Sequence, residues 1–431
     1  MTDFASTDGS ADARPALPIR HVLAVVVGNA LEFYDFLTYA FFAIQIGRTF
    51  FPTDSPNSSL LLSLATFGAG FVTRPLGGLV IGMMGDRVGR KPAMLLSFSL
   101  MGIAIVGLAL TPSYKTIGMA APILVLCFRL LQGFSLGGEV GPTTAYMIEA
   151  APPHRRALYI SMQGVTQNVA VLSAGLVGVG LAAVLSPEAL DDWGWRIAFL
   201  IGAAILPFGI MARRGLAETL DQPNASAVEP AAAPSFRPYA RIAVLGLAML
   251  GGATICTYVL TYMATFATHT LGMPSTLAFG ATVVVGLCGI SFGPLSGWLA
   301  DRFGRKPVMM IAAGCLLVAI YPAFLAITQF RSAAALFGAT AVLAALNALA
   351  QIPVLVGITE SLPRRMRSGA VAIIYALAIA TFGGSTQFML AWLTDLTGNA
   401  LAPAFYMIAA IAVELAAMAF MRESAPHRQR R

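Results

Sequence analysis

One charged motif occurs twice in this chain, half a chain length apart. It reads Gly85-Asp86-Arg87-Val88-Gly89-Arg90-Lys91-Pro92 in the first copy and Ala300-Asp301-Arg302-Phe303-Gly304-Arg305-Lys306-Pro307 in the second. The two aspartates are 215 positions apart in a chain of 431 residues, and each copy connects two long apolar segments. A charged connection repeated at half length in such an apolar chain predicts two similar membrane-spanning halves.

Composition supports a membrane protein. Hydrophobic residues make up 57% of the chain and charged residues 11%, against roughly 25% charged in a soluble domain. So few charges cannot cover the surface of a water-soluble globule of this length, and lipid is the expected solvent. The net charge of +7 does not indicate nucleic-acid binding, because the basic residues flank apolar segments.

Apolar runs long enough to cross a bilayer recur along the whole sequence. They predict twelve spans, at about 21–47, 59–84, 93–111, 119–147, 156–185, 195–213, 240–268, 274–299, 308–328, 333–358, 367–393 and 401–421. The loops after even-numbered spans and the two termini together hold 21 of the 27 basic residues. By the positive-inside rule, both termini are expected in the cytoplasm.

A second repeat supports the duplication. Glu149 begins a Pro- and Arg-containing connection between spans four and five, and Glu360 begins a similar one between spans ten and eleven, 211 positions later. The predicted organisation is a disordered tail at 1–19, a six-helix bundle at 20–214, a Pro-rich linker at 215–239, a second bundle at 240–421 and a basic tail at 422–431.

The repeated motif, placed after spans two and eight, resembles the signature of the major facilitator superfamily. A narrower resemblance to the metabolite:proton symporter group is carried by Gly28 to Phe36, by Arg74-Pro75-Leu76-Gly77 and by Arg129 to Glu139. Residues 48–52 and 116–122 look most similar to citrate–proton symporters. The resemblance implies an all-α fold of twelve transmembrane helices in two pseudo-symmetric six-helix bundles, with spans one, four, seven and ten around a central cavity.

Ionisable side chains deep in a span are costly, so they are candidate functional groups. The first half has five, namely Glu32, Asp35, Arg74, Arg129 and Glu139, whereas the second half is expected to have almost none. The deep polar groups of the second half are expected to be neutral: Tyr258, Tyr262, Asn347, Gln351, Tyr375 and Gln387. Proton and charge handling are therefore predicted for the first half.

Proton coupling is predicted for Asp35 or Glu32, with Arg129 as the switchable partner. Arg129 on span four lies at about the depth of Asp35 on span one. A nearby guanidinium favours the charged carboxylate and a dry cavity favours the neutral acid, so hydration of the cavity could switch the proton on and off. The alternative is a static ion pair that holds the two spans together.

Substrate binding is predicted around Arg74 and Arg129, because a planar guanidinium binds a carboxylate with two hydrogen bonds. The alternative for Arg74 is a structural pair with an acid of its own half. The full predicted set is Asn29, Tyr34, Tyr39, Arg74, Arg129, Gln163, Gln167, Tyr258, Tyr262, Asn347 and Tyr375. Gln163 and Gln167, four residues apart on span five, could equally be contacts between helices.

The repeated motifs have two readings, as topological anchors or as a cytoplasmic gate. The resemblance implies the gate, in which Asp86 meets the start of span eleven and Asp301 the start of span five. The positive end of the helix dipole favours an anion at both places. The predicted gate residues are Asp86, Arg90, Glu149 and Arg155 in one network and Asp301, Arg305, Glu360 and Arg364 in the other.

Together these features predict a monomeric, proton-coupled symporter in the bacterial inner membrane that imports a small tri- or dicarboxylate, such as citrate, by alternating access. Two alternatives are a betaine or proline symporter, with Tyr34, Tyr39 and Tyr262 as an aromatic cage, and a drug/proton antiporter. No nucleophile–base pair or metal motif indicates an enzyme, a cofactor or a metal site. The partners are the organic acid, protons and the lipid bilayer, with no nucleic acid.

Overall fold

The computed structural model describes residues 33–34, 36–88, 90–137, 151–152, 154–214, 239–363 and 367–425, and over these ranges the chain is helical without a β-strand. In chain order, the spans are Ala43–Phe50 (span one), Pro56–Val72 and Arg74–Arg87 (two), Arg90–Leu110 (three), Ala120–Leu136 (four), Arg156–Val184 (five), Trp195–Arg214 (six), Ala240–Thr265 (seven), Ser275–Phe303 (eight), Arg305–Phe330 (nine), Ala333–Glu360 (ten), Arg367–Ala378 and Gly384–Thr397 (eleven) and Ala402–Phe420 (twelve). One π-helical turn extends span seven, and another lies inside span eleven.

A helical segment corresponding to each of the twelve predicted spans is present in the described ranges. The start of span one and the end of span four adjoin residues outside these ranges, and the other ends lie within four residues of the predicted ones. The loop predicted at the second motif is longer than the connection found in the structure. Span eight continues to Phe303 and span nine starts at Arg305, so Gly304 alone separates them. Gly304 has φ 99° and ψ 155°, a conformation that a side chain would strain. The charged residues of the motif therefore lie on helix ends rather than in a loop.

The helices alternate in direction and define two faces of the bundle. The face that carries Val88, Gly304 and Met421 is called here the hinge face. The opposite face carries the connections near Thr53, Ser186 and Asn399.

Span two is interrupted at Thr73. Pro75 has no backbone N–H, so the Phe71 carbonyl four residues earlier lacks its usual helical donor, which accounts for an interruption here. The Thr73 hydroxyl donates a hydrogen bond to the Leu130 carbonyl of span four, 2.7 Å away. The interruption therefore places Arg74 at the start of a new helical segment, beside span four.

Glycines allow spans two and four to approach each other at backbone distance. A Cβ on Gly133 would overlap the Gly70 carbonyl oxygen, and one on Gly77 would overlap the Phe134 carbonyl oxygen. Small residues at such seams let membrane helices pack closely, since lipid provides no hydrophobic force between them. This seam sets the separation between the helices that carry Arg74 and Arg129.

The two halves meet along two further seams. Spans five and eight are in close contact where Gly175 lies against Val283 and Gly286 lies against Leu172. Span two meets span eleven where a Cβ on Gly68 would overlap the Gly384 carbonyl oxygen.

We expect Gly133→Ala to lower the stability of the protein. The added methyl group would force spans two and four apart, and overpacking of this kind costs about 1–3 kcal/mol. The melting temperature in detergent should fall by several degrees. Gly180→Ala on span five is the control, because a Cβ there meets nothing within 4 Å. Equal melting temperatures for the two variants would contradict the role assigned to this seam.

Candidate functional site

A buried guanidinium surrounded by aromatic rings lies in the first half. Arg129 of span four is 0% exposed, and its guanidinium carbon lies 4.5 Å from the Phe36 ring centroid, 4.5 Å from Tyr39 and 4.9 Å from Phe67. It donates hydrogen bonds to Gln132 Oε1 at 2.5 Å and to the Phe67 carbonyl at 3.2 Å. The described residues place no carboxylate against it, and its Nε has no hydrogen-bond partner among them.

Arg74 lies beside it, with its guanidinium carbon 4.4 Å from the Phe36 centroid and 4.3 Å from that of Phe71. Phe36 is therefore shared by both arginines. Phe36, Phe67 and Phe71 also contact one another, with centroids 4.8 to 5.4 Å apart. Two like charges on one ring repel each other, so a negative group would be attracted to both.

The second half contributes tyrosine side chains to the same place. The ring of Tyr258 on span seven lies 5.6 Å from Phe71 and 6.2 Å from Phe67. Its hydroxyl is close enough to interact electrostatically with Arg74, Arg129 and Tyr375. Tyr375 of span eleven also faces Gln167 of span five. The central cluster, named here as Phe36, Tyr39, Phe67, Phe71, Arg74, Arg129, Gln167, Tyr258 and Tyr375, therefore contains side chains of both halves.

Three predicted substrate residues have other contacts. Tyr34 donates its hydroxyl to the Ala198 carbonyl of span six, 3.0 Å away. Tyr262 packs in the apolar core of the second half. Asn347 accepts a hydrogen bond from Gln351, which also donates to Thr257 of span seven. The Tyr39 ring lies against Arg129, and Tyr262 packs in a different apolar core from Tyr34 and Tyr39, so the structure does not bring the three tyrosines together as an aromatic cage.

Several of the predicted site and gate residues lie outside the described part of the chain. Asn29, Glu32, Asp35, Glu149 and Arg364 lie outside the described residues, as do the side chains of Asp86 and Arg90. Gln163 is described and is buried on span five. Roles for all of these remain predictions.

On the hinge face, an ion-pair network joins the two halves. Asp301 accepts hydrogen bonds from the backbone N–H groups of Ala157 and Leu158, at 3.1 and 3.0 Å, at the start of span five. Asp301 also pairs with Arg305 at 3.1 Å, and Arg305 binds both carboxylate oxygens of Glu360, at 3.1 and 3.2 Å. The contact between Asp301 and span five crosses from the second half to the first.

Arg156 is a member of this network. Its guanidinium lies 3.6 Å from Glu360 of span ten, so it contacts the second half although it lies at the start of span five in the first half. Arg155, which the sequence placed in the gate, is the exposed N-cap residue of span five and makes no side-chain capping hydrogen bond. Helix geometry explains the difference, because neighbouring residues at a helix start point in different directions.

The segment after span twelve also packs against this network. Glu423 accepts hydrogen bonds from the N–H groups of Arg305 and Lys306, at 3.0 and 3.1 Å, and so caps the start of span nine. Ser424 donates to Glu360 at 2.8 Å. The Lys306 ammonium donates to the Ala419 and Met421 carbonyls at the end of span twelve. The beginning of the predicted basic tail is thus folded onto the hinge face.

Side-chain contacts also connect the helices on the opposite face. Asn57 of span two bonds to Asp395 of span eleven, which links the two halves. Arg48 pairs with Asp191, in the connection before span six, and Gln45 donates to the same carboxylate at 3.2 Å. The structure therefore has contacts between the halves on both faces.

Glu414 contradicts the expectation that the deep polar groups of the second half are neutral residues. This acid lies on span twelve and is 1% exposed. The sequence signal was present as one acid in an otherwise apolar run. The aromatic partners of the arginines were also missed, although Phe67, Phe71 and Arg74 follow helical spacing on one face.

Comparisons with known proteins agree with this architecture. The chain is 37% identical over 415 residues to the citrate-proton symporter of Klebsiella pneumoniae, covering 94% of this chain and 92% of the relative. It is 34% identical over 376 residues to the alpha-ketoglutarate permease of Escherichia coli, covering 86% and 87%. A crystal structure of a D-xylose-proton symporter superimposes with a TM-score of 0.76 at 20% identity, covering 95% of this chain and 98% of the other.

The family model described as Major Facilitator Superfamily matches residues 27–386. These relatives are transporters, and the fold is the one that their superfamily shares. The chain is accordingly a membrane transporter rather than an enzyme, and it belongs to the Major Facilitator Superfamily.

Proposed function

We propose that this protein is a proton-coupled symporter that imports a small tri- or dicarboxylate anion, with citrate as the first substrate to test. The observation that carries the proposal is the pair of arginines on Phe36. Both guanidinium groups contact the Phe36 ring near the contact between the halves. A planar carboxylate at this place could bridge them. Relatives with high coverage are named for citrate and for alpha-ketoglutarate, which are both small organic acid anions.

We assign proton coupling to Asp35 or Glu32. Asp35 directly precedes Phe36 in the chain, and Phe36 is the ring under both arginines. A carboxylate that approached Arg129 would be stabilised in its charged form, and occupation of the arginines by the substrate anion would remove that stabilisation. Substrate and proton would then bind together, as symport requires.

The chain is proposed to act as a monomer in the bacterial inner membrane with both termini in the cytoplasm. Most of the basic residues lie on the hinge side of the spans, which supports a cytoplasmic hinge face. The Asp301–Arg305–Glu360 network would then be the cytoplasmic gate. An osmolyte symporter is less well supported, because the Tyr39 ring contacts the Arg129 guanidinium and is not part of an open aromatic cage.

Citrate should raise the melting temperature of the purified protein in a saturable way. Tricarballylate, aconitate, succinate, alpha-ketoglutarate, shikimate and betaine are tested beside it. At a ligand concentration 100 times Kd, binding stabilises the folded state by about 2.7 kcal/mol. Arg74→Lys should abolish the shift, because an ammonium cannot form two parallel hydrogen bonds to a carboxylate.

The control for this panel is Arg331→Lys, at an exposed position between spans nine and ten. It should keep the wild-type shift. Stabilisation by betaine alone would overturn the anion proposal, and wild-type affinity in a folded Arg74→Lys protein would leave Arg74 with a structural role.

Asp35→Asn should abolish uphill citrate accumulation in proteoliposomes and retain citrate counterflow. The neutral amide cannot release a proton, so coupling is lost while exchange persists. Glu32→Gln is measured in parallel, and the variant that keeps exchange without accumulation identifies the coupling acid. If both variants concentrate citrate against its gradient, neither acid couples transport to protons.

Glu360→Gln should raise the fraction of molecules in which the hinge face is open. Loss of the charge opposite Arg305 and Arg156 weakens the network that holds spans five, nine and ten together, and every 1.4 kcal/mol lost raises the open fraction about tenfold. The reporter is Val356→Cys in a background without the four native cysteines, since Val356 is buried with Ala157, Ile160 and Ala300. Its modification by a thiol reagent should be faster in Glu360→Gln.

Glu188→Gln serves as the matched control for the gate. Glu188 is exposed on the opposite face, where hydrogen bonds from its own backbone and from Ser186 lower the pKa of its carboxyl. Its replacement should leave the modification rate of Val356→Cys unchanged. A rate that also stays unchanged in Glu360→Gln would exclude the network as the element that holds this face closed.

A further inference from the structure

The described part of the second half contains one fully buried acid, Glu414, whose carboxylate has no hydrogen-bond partner. Glu414 on span twelve is 1% exposed, and neither of its carboxylate oxygens accepts a hydrogen bond from any described residue. It lies six residues before the end of the span, roughly 9 Å along the helix. This depth is too great for the side chain to be treated as part of the hinge-face network.

Apolar residues surround Glu414 on its own helix face. One turn before it, Ala410 and Ile411 belong to one apolar core of the second half, and one turn after it, Ala417 and Met418 belong to another. The acid therefore lies at the junction of two hydrophobic cores, where an ionised carboxylate would lose its hydration without compensation. Desolvation of this kind costs several kcal/mol even after relaxation.

Span seven makes room for this carboxyl group. A Cβ on Gly252 would lie 2.6 Å from Glu414 Cβ and 2.7 Å from Oε2, so only glycine fits here without movement. The neighbouring Gly251 packs equally closely on Phe382 of span eleven. Two adjacent glycines lower the stiffness of a helix, and bending at this point would change the space around the acid.

No described cation neutralises Glu414. Span twelve packs against spans seven, nine and eleven. Besides Tyr406 on span twelve itself, the ionisable side chains described on these helices are Arg241, Cys256, Tyr258, Tyr262, His269, Arg305, Lys306, Cys315, Tyr321, Tyr375 and Asp395. Of these, the Cys256 thiol interacts electrostatically with Glu414, and Arg305 and Lys306 are occupied by Glu360 and by the end of span twelve. A charged carboxylate at this position therefore lacks a described counter-ion.

We propose that Glu414 is a second proton-binding site of the transporter. It holds its proton while spans seven and twelve are in contact and releases it to water when bending at Gly251 and Gly252 lets water reach the carboxyl group. The released species is a hydrated proton, and the carboxylate that remains is reprotonated when the helices close again. This inference rests on the proposed proton symport and adds a site in the half where none was expected.

The test compares Glu414→Gln with wild type in proteoliposomes. Protons and citrate taken up are counted together, with a pH-sensitive dye and radiolabelled citrate. Glutamine has the shape of the protonated acid and should permit folding, but it cannot release a proton. We expect one proton fewer per citrate in Glu414→Gln and the wild-type ratio in Glu188→Gln. An unchanged ratio in Glu414→Gln would overturn the inference and leave proton symport intact.

Infrared difference spectroscopy gives a second readout that does not depend on the glutamine variant. Wild type should show a protonated carboxyl band that changes when citrate is added, and Gly252→Ala, which crowds Oε2, should shift this band. If the band changes neither on addition of citrate nor in Gly252→Ala, Glu414 has a static role and the inference is overturned. If wild type takes up citrate without protons, proton symport itself fails, which the first experiment distinguishes from the failure of Glu414 alone.

Discussion

A guanidinium buried without water needs compensation nearby, and the rings around Arg129 provide only part of it. A desolvated cation–π contact contributes about 2 kcal/mol, and a hydrogen bond to a charged group about 1.5–3 kcal/mol. Desolvation of the buried Arg129 costs several kcal/mol, and the two arginines on Phe36 also repel each other. The balance favours a negative group at this place, supplied by the protein, by the substrate or by each in turn.

On the hinge face, in contrast, a buried guanidinium is neutralised by carboxylates of the protein itself. Arg305 is also buried, but it has carboxylates on two sides and the Ala300 carbonyl as a further acceptor. The contact that crosses between the halves is much smaller, namely two backbone N–H groups on Asp301 together with the longer pair between Arg156 and Glu360. Opening the face therefore requires loss of a few polar interactions at the boundary and of the apolar contacts of Val356 and Ala300 with Ala157 and Ile160, while most of the network stays intact. The gate proposed for this face can therefore close firmly and still open reversibly.

Helix positions could be predicted from the sequence because bilayer thickness dictates the length of an apolar run. Contacts between helices could not be predicted in the same way. The partners of Arg156 and Glu423 lie on helices far away in the chain, and only the folded arrangement brings them together. Glu414 was missed for a different reason, since one acid does not interrupt an apolar run. Burial is therefore what turns an ordinary glutamate into a candidate proton site.

Span seven connects the two chemical features of the protein. Its Tyr258 lies against Phe67 and Phe71 in the central cluster, and its Gly252 lies against Glu414, six residues or roughly 9 Å earlier on the same helix. A substrate bound between the arginines, as proposed, would lie beside Tyr258, because that ring is in contact with the phenylalanines around Arg74 and Arg129. Movement of Tyr258 would be transmitted to the glycine pair, which is the most deformable part of the intervening helix. Anion binding in one half and proton release in the other could then be linked through a single helix, without direct contact between the two sites.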